Sequence, residues 1–219
     1  MLNSNQIRPA VVVALLAGAM ACGDSGPELA PSQARISIAE DIAAQRVAPT
    51  FYASVNGVQF VVDPATVTSL NLTVTQVAYL LEGDDENTES AWQTLDVEDL
   101  TIDLMALPAE SEGSVVIGAG DVPVGNYNKV RLLVSGGTIE FNTDVSFGGT
   151  DFVAGEEYDV VVPSGAESGI KADVSFDVIA GAEGAENSAE LVFEPGTTFQ
   201  NVTVTGNGEV ILNPVLRAK

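Results

Sequence analysis

The side chains able to do chemistry are unevenly supplied in this chain. It has no histidine and one cysteine, Cys22, against 31 Asp and Glu. Without imidazole there is no Ser-His-Asp or Cys-His catalysis, and no imidazole-held zinc, copper or iron. No glycine-rich phosphate loop of either common spacing occurs. A Ser–Lys dyad, Ser164 or Ser168 with Lys171, is formally available, but a Ser-rich turn ahead of a strand accounts for those residues more simply. Two carboxylates suffice for a glycosidase, yet acids are so numerous that no pair stands out. The single tryptophan, Trp92, lies in an alternating stretch, so core packing is the better reading of it than a sugar-stacking platform.

The acids are concentrated. Between Val47 and Asn128 there is no Lys or Arg, and Glu82, Asp84, Asp85, Glu86 and Glu89 crowd one segment, with Asp96, Glu98, Asp99 and Asp103 following. Oxygen-only clusters suit Ca²⁺ rather than softer metals. Gly83-Asp84-Asp85-Glu86-Asn87 lacks the spaced ligands and closing Glu of an EF-hand, so a solvated acidic loop is the first reading of residues 82–89 and a Ca²⁺ loop the second. A net charge of −23 repels nucleic acid and anionic headgroups. Lys129 and Arg131 share one face of a strand, and Glu157 and Asp159, of matching parity, are expected opposite them as a cross-strand charge pair.

Cys22 is where chemistry is most specifically marked. The run Ala10–Ala21 is apolar but shorter than the roughly 20 residues a spanning helix needs, and Arg8 precedes it. Ala19-Met20-Ala21-Cys22 resembles a bacterial lipobox, with Ala19 where Leu is usual. That resemblance implies a signal peptide over residues 1–22, cleavage before Cys22, and acylation of its thiol by chains such as palmitate. More than one chain is needed for stable anchoring. The rival is an ordinary secretory signal with a cysteine nearby by chance. Gly23 leans away from inner-membrane retention, so the expected address is the cell envelope, at the outer rather than the inner membrane.

The elements that would carry any site follow from periodicity. Residues 23–50 read as a tether, with Ser37-Ile38-Ala39-Glu40 spaced as a capping box for a short helix reaching Gln45. From Phe51 the period becomes two. Asn56-Gly57 marks a hairpin between Phe51–Val55 and Val58–Val62. Leu70, Leu72 and Val74 alternate in one parity and Val77, Tyr79 and Leu81 in the other, which predicts a β-bulge near Thr75-Gln76. Further strands are expected at intervals of about ten residues, with Gly136-Gly137 and Gly148-Gly149 among the turns. In Ala172–Ile179, Val174, Phe176 and Val178 alternate with Asp173, Ser175 and Asp177. The expected fold is an all-β, antiparallel β-sandwich of prealbumin or immunoglobulin-like type, forming one domain over residues 51–219. In Pro123-Val124-Gly125-Asn126-Tyr127, Pro123 sets a bend and Tyr127 enters the next strand with its hydroxyl free to find a backbone partner at the corner.

Several stretches together resemble a bacterial family, domain of unknown function 4382. They are Leu72 through Tyr79; Trp92 through Leu107; Val122 through Leu132; Val162–Gly165 with Ser168–Lys171; and Leu212 through Arg217. The likeness covers roughly residues 70–219. It implies an envelope lipoprotein carrying a prealbumin-like sandwich, and no catalytic residue comes with it. Two departures stand out: no Thr-Asp-Ala-Pro opening, and Val192-Phe193-Glu194-Pro195 where relatives have Asp-Phe-Asp. The expected function is a non-enzymatic, lipid-anchored module for binding, adhesion or structural support. It would meet the membrane through Cys22 and a protein or glycan partner through its surface, without nucleic acid and without a required cofactor. The alternatives are a small carboxylate-dependent, glycosidase-like hydrolase and a Ca²⁺-dependent adhesin.

Overall fold

Two long antiparallel strands form the spine. In the computed structural model, which describes residues 32–41, 60–95, 97, 100–147, 149–180, 187–200 and 202–219, β2 (Val67–Leu81) pairs with β6 (Gly125–Phe141) along nearly its whole length. The outer edge of β2 carries β4 (Leu100–Asp103) and β3 (Trp92–Leu95) end to end. The outer edge of β6 carries β9 (Glu157–Val161) and β10 (Ile170–Val178) in the same way. β13 (Val210–Ile211) runs parallel to β9, and β12 (Thr203–Val204) completes this larger sheet. A smaller sheet has the order β14 (Leu216–Ala218), β11 (Ser188–Phe193), β1 (Ser32–Glu40), β5 (Val115–Val122). A short hairpin, β7 (Val145–Phe147) with β8 (Thr150–Phe152), stands apart.

The all-β sandwich is as expected, but its sheets are mixed rather than purely antiparallel. β1 lies parallel to β11 and β13 parallel to β9. Period two explains the core between the sheets. Leu70, Leu72 and Val74 point inward, the register slips at Thr75, and Val77 and Tyr79 continue inward in the other parity. The bulge read from the sequence is therefore present. Across the gap, Ile36, Ile38, Ile117, Leu191 and Phe193 supply the facing layer. The corner at Pro123 also forms as expected. Tyr127 is buried, donates its hydroxyl to the Pro123 carbonyl at 2.8 Å, and packs its ring on Tyr79 and Phe176. Burial pushes the Tyr127 hydroxyl up to about 12, with nearby Asp84 adding to the shift.

Three local expectations change. Ser37–Glu40 ends strand β1 rather than opening a helix, because Ala34, Ile36 and Ile38 fall at period two and each is buried. The strand also places residues assigned to the tether inside the smaller sheet. Gly136-Gly137 does not reverse the chain. Gly136, at φ +147°, and the adjacent Ser135 absorb a register shift, and β6 continues through. Phe60 pairs with Val202 in an antiparallel bridge. The Asn56-Gly57 turn, residues 42–45 of the expected helix, and the 1–22 segment with Cys22 lie outside the described residues.

The crossing of β6 over β2 demands glycine at one point. A Cβ on Gly137 would collide with the Asn71 carbonyl of the paired strand and crowd Leu72. Gly206, by contrast, has open space around it. Gly137→Ala is expected to destabilise by on the order of 3 kcal/mol, as strained or overpacked backbone sites do, and Gly206→Ala by less than about 0.5 kcal/mol. Thermal unfolding of the two variants side by side checks this.

Candidate functional site

Most of the acidic loop and the tryptophan meet on the outer face of the larger sheet, and strand register dictates how. Leu80 on β2 lies between Trp92 on β3 and Lys129 on β6, and Lys129 lies opposite Asp173 on β10. One row along, Ala78 lies between Thr94 and Arg131, and Arg131 lies opposite Lys171. Side chains in such rows stand about 5 Å apart, so their chemistry is coupled. Ala78, Leu80 and Trp92 form a small second core on this face, separate from the core between the sheets.

Trp92 is only 5 % exposed. Its Nε1–H donates to the Glu86 carbonyl at 3.1 Å, and the Arg131 guanidinium lies 4.5 Å from its ring centre. The core reading of Trp92 holds, although the core is the second one. Arg131 itself is 3 % exposed and grips Glu89 through two hydrogen bonds of 2.8 and 2.6 Å. Its Nε is buried without an acceptor. Directly opposite Arg131 stands Lys171, whose Nζ is 5.8 Å from the same indole. Two cations in one cross-strand pair repel, and the Glu89 carboxylate offsets that repulsion. Lys129 is bridged to Asp173 at 2.7 Å and to Glu86 at 3.2 Å.

The acidic loop is thus strapped to the sheet by its own charges. Glu86 and Glu89 engage cations of β6. Asp85 accepts from the Asn87 backbone at 3.0 Å and from its side-chain amide at 2.9 Å, a local turn. Glu82 and Asp84 are exposed. Among the described residues no group of three acidic side chains is placed to hold a metal ion. Hydrogen bonds from Asn87 hold the Asp85 carboxyl below its ordinary value. Hydrogen bonds from Arg131 do the same for Glu89, against an opposing desolvation. A general acid requires the opposite displacement.

Other expected partners separate. Glu157 and Asp159 on β9 pair with Glu140 and Thr138, at the far end of β6 from Lys129 and Arg131. The cross-strand charge pair is therefore corrected to Lys129 with Asp173 on β10. The reason is that β9 and β10 share one edge of β6, so parity alone could not say which strand reaches which half. Asp173, outward-facing in the alternating run Ala172–Ile179, was the available signal. Among the described residues no hydrogen bond joins Lys171 to Ser164 or Ser168. Ser164 sits at φ +55° beside a groove of about 300 Å³ between Val134–Gly136, Val160–Val162 and residues 164–167. Sequence reasoning also missed a second ionic cluster. Arg217 on β14 bridges Asp41, Glu110 and Glu194, and Lys219 bridges Glu190.

Residues 57–214 match the family model described as Domain of unknown function (DUF4382). No curated protein and no solved structure matches the chain.

The strap has a pH signature. Because the folded-state pKa of Glu89 is depressed below its ordinary 4.5, its contribution to stability is fully present above that value and is lost as pH falls through the folded-state value. Glu89→Gln is expected to flatten the acid limb of a melting-temperature profile below pH 4.5. Arg131→Ala strips the cover from Trp92 and is expected to cost about 1–2 kcal/mol through lost packing, since the Glu89 left behind is solvated, with a red shift of the Trp92 emission as its spectroscopic mark. A second expectation concerns the loop's oxygens. With Glu86 and Glu89 tied to β6, millimolar Ca²⁺ is expected to leave the melting temperature where EGTA leaves it, and a clear rise would support the Ca²⁺ loop instead.

Proposed function

The chain belongs to the DUF4382 family, and from that premise we propose that it is a lipid-anchored envelope protein whose β-sandwich serves as a non-catalytic binding or structural module. The observation that carries the non-catalytic reading is the strapped site. Two of its carboxylates, Glu86 and Glu89, and two of its three cations, Lys129 and Arg131, neutralise one another over Trp92, with Lys171 beside them. Groups arranged this way rigidify a face and hold a loop in place. A hydrolase would instead pair one carboxyl of raised pKa with a second across a cleft.

Anchoring rests on the pattern at Ala19–Cys22, and with no histidine and no other cysteine in the chain, lipidation is the reading that uses the thiol. The tether would end where β1 begins, at Ser32. The domain would then stand close to the membrane on at most about ten residues of extended chain, on the order of 30 Å.

Mass spectrometry of the membrane fraction tests the anchor. The N-terminal peptide is expected to begin at an acylated Cys22, and Cys22→Ala is expected to move the protein to the soluble fraction. An unmodified Cys22, or wild-type fractionation of the variant, would refute the anchor while leaving the fold untouched. For the non-catalytic reading, a turnover on glycoside substrates that two carboxylate substitutions abolish without lowering the melting temperature would overturn it.

A further inference from the structure

The outer face of the larger sheet has two halves of different charge. Toward Lys129, cations stand outward and acids of the 82–89 loop meet them. Toward Glu140 the acids stand alone. Alternation on β9 buries Val160 and turns Glu157, Asp159 and Val161 outward, with roughly 7 Å between successive outward residues. Across the ladder Glu157 lies opposite Glu140, Asp159 opposite Thr138, and Val161 opposite Ile211 of β13. β2, β4, β9, β12 and β13 contain no Lys or Arg, and β6 has none beyond Arg131. Among the described residues, Glu140, Glu157 and Asp159 have no ion pair. Like charges directly opposite one another destabilise a sheet, and the fold leaves the Glu140–Glu157 pair unrelieved.

Val161 joins this half-face to the groove of about 300 Å³ beside Ser164. Val134, Val160 and Val162 lie buried at its base, and Val161, Ala166 and Glu167 are exposed at its rim. Its shape is built in advance. The Ser164 carbonyl accepts from the N–H groups of Glu167, Ser168 and Gly169 at 2.9 to 3.1 Å, which closes the turn. The Val134 N–H donates to the Gly165 carbonyl and the Gly165 N–H to that of Val162, both at 2.9 Å, which ties the turn to β6 and β9.

Chemistry and charge say what fits. Apolar walls that end at a carboxylate suit a Lys or Arg side chain, whose stem is apolar and whose head is charged. The volume is at the small end for a ligand pocket, roughly 300–1,000 Å³, and takes one long side chain. Lys129, Arg131, Arg217 and Lys219 are committed to internal ion pairs. A second copy would bring a charge of −23 against −23, whereas a basic chain is drawn in.

We propose that the groove and the acidic half-face beside it form a docking surface for a basic segment of another protein. One Lys or Arg of that segment fills the groove with its head at Glu167. Its further cations pair with Asp159 and with the Glu157–Glu140 couple, relieving a repulsion that the free protein carries. The proposal rests on the binding-module reading above and is independent of the lipid at Cys22.

The test uses the full chain in detergent with synthetic peptides of about eight residues, a length that spans the half-face. In the first, Arg alternates with Ser. In the second, diaminopropionic acid replaces each Arg, keeping the charge and losing the stem; in the third, Glu replaces it. The Arg peptide is expected to bind about tenfold more tightly than the short-stemmed one, to weaken as salt rises, and to slow hydrogen exchange within residues 160–167. The Glu peptide is expected not to bind. Ala166→Trp, which obstructs the groove, and Glu157→Lys are each expected to weaken the Arg peptide about tenfold. Because Glu157→Lys places a cation opposite Glu140, it is also expected to raise the melting temperature, the reverse of what a damaged fold would show. If Ala166→Trp fails to fold, Glu157→Lys and the short-stemmed peptide decide. Equal binding of the Arg and short-stemmed peptides, binding that survives both substitutions, protection over residues 82–91 instead, or displacement by spermine at matched charge would each overturn the proposal. Such a failure without any glycoside turnover would leave the non-catalytic reading standing.

Discussion

The pairing of β2 with β6 is the constraint on which everything else hangs. Fifteen residues lie against seventeen, and each partner offers its free edge to two short strands in tandem. That arrangement lets four strands of four to nine residues, too short to be stable as isolated hairpins, share one continuous template. The cost is that two long strands must follow the sheet's twist without parting. Register shifts at Thr75 and at Ser135-Gly136 release that strain, and Gly137, just beyond them, permits the close approach of β6 to Asn71. No disulfide is available to help, since the chain has a single cysteine.

Scarce cations are the second organising feature. Arg131 and Lys129 are spent toward one end of the spine and Arg217 and Lys219 at the edge of the smaller sheet, each against acids brought from distant parts of the sequence. Exposed ion pairs contribute little individually. The Arg131–Glu89 pair is different because its cation is buried against Trp92 and needs a counter-charge. A chain this acidic gains most from a few cations placed where they hold loops down, and least from scattering them over the surface.

How much of this could be read from residues alone depended on range. Period two, the parity switch after Val74 and the Pro123–Tyr127 corner are local, and all three are present. The Gly136-Gly137 pair was legible as a break but not as a bulge, because turn and bulge use the same residue types and differ only in what lies across the ladder. Ser37–Glu40 has a helix-start pattern that Ala34, Ile36 and Ile38 override once β5 and β11 flank them. The charged face was legible in composition but not in pairing. That Glu86 and Glu89 would reach Lys129 and Arg131 depends on the β2–β3 hairpin folding the loop back over the sheet, a contact some forty residues away in sequence.

The place of β1 has a bearing on timing. The first strand of the described chain sits between β5 and β11, in parallel register from Arg35↔Ser188 to Glu40↔Phe193. The smaller sheet therefore cannot close until almost the entire polypeptide has emerged, and until then Ile36 and Ile38 have no lasting cover. Such non-local pairing slows folding and leaves the nascent chain extended for longer. On the proposed reading of an exported, lipid-anchored protein, that delay would favour passage across a membrane before folding, because the earliest described strand waits for the last.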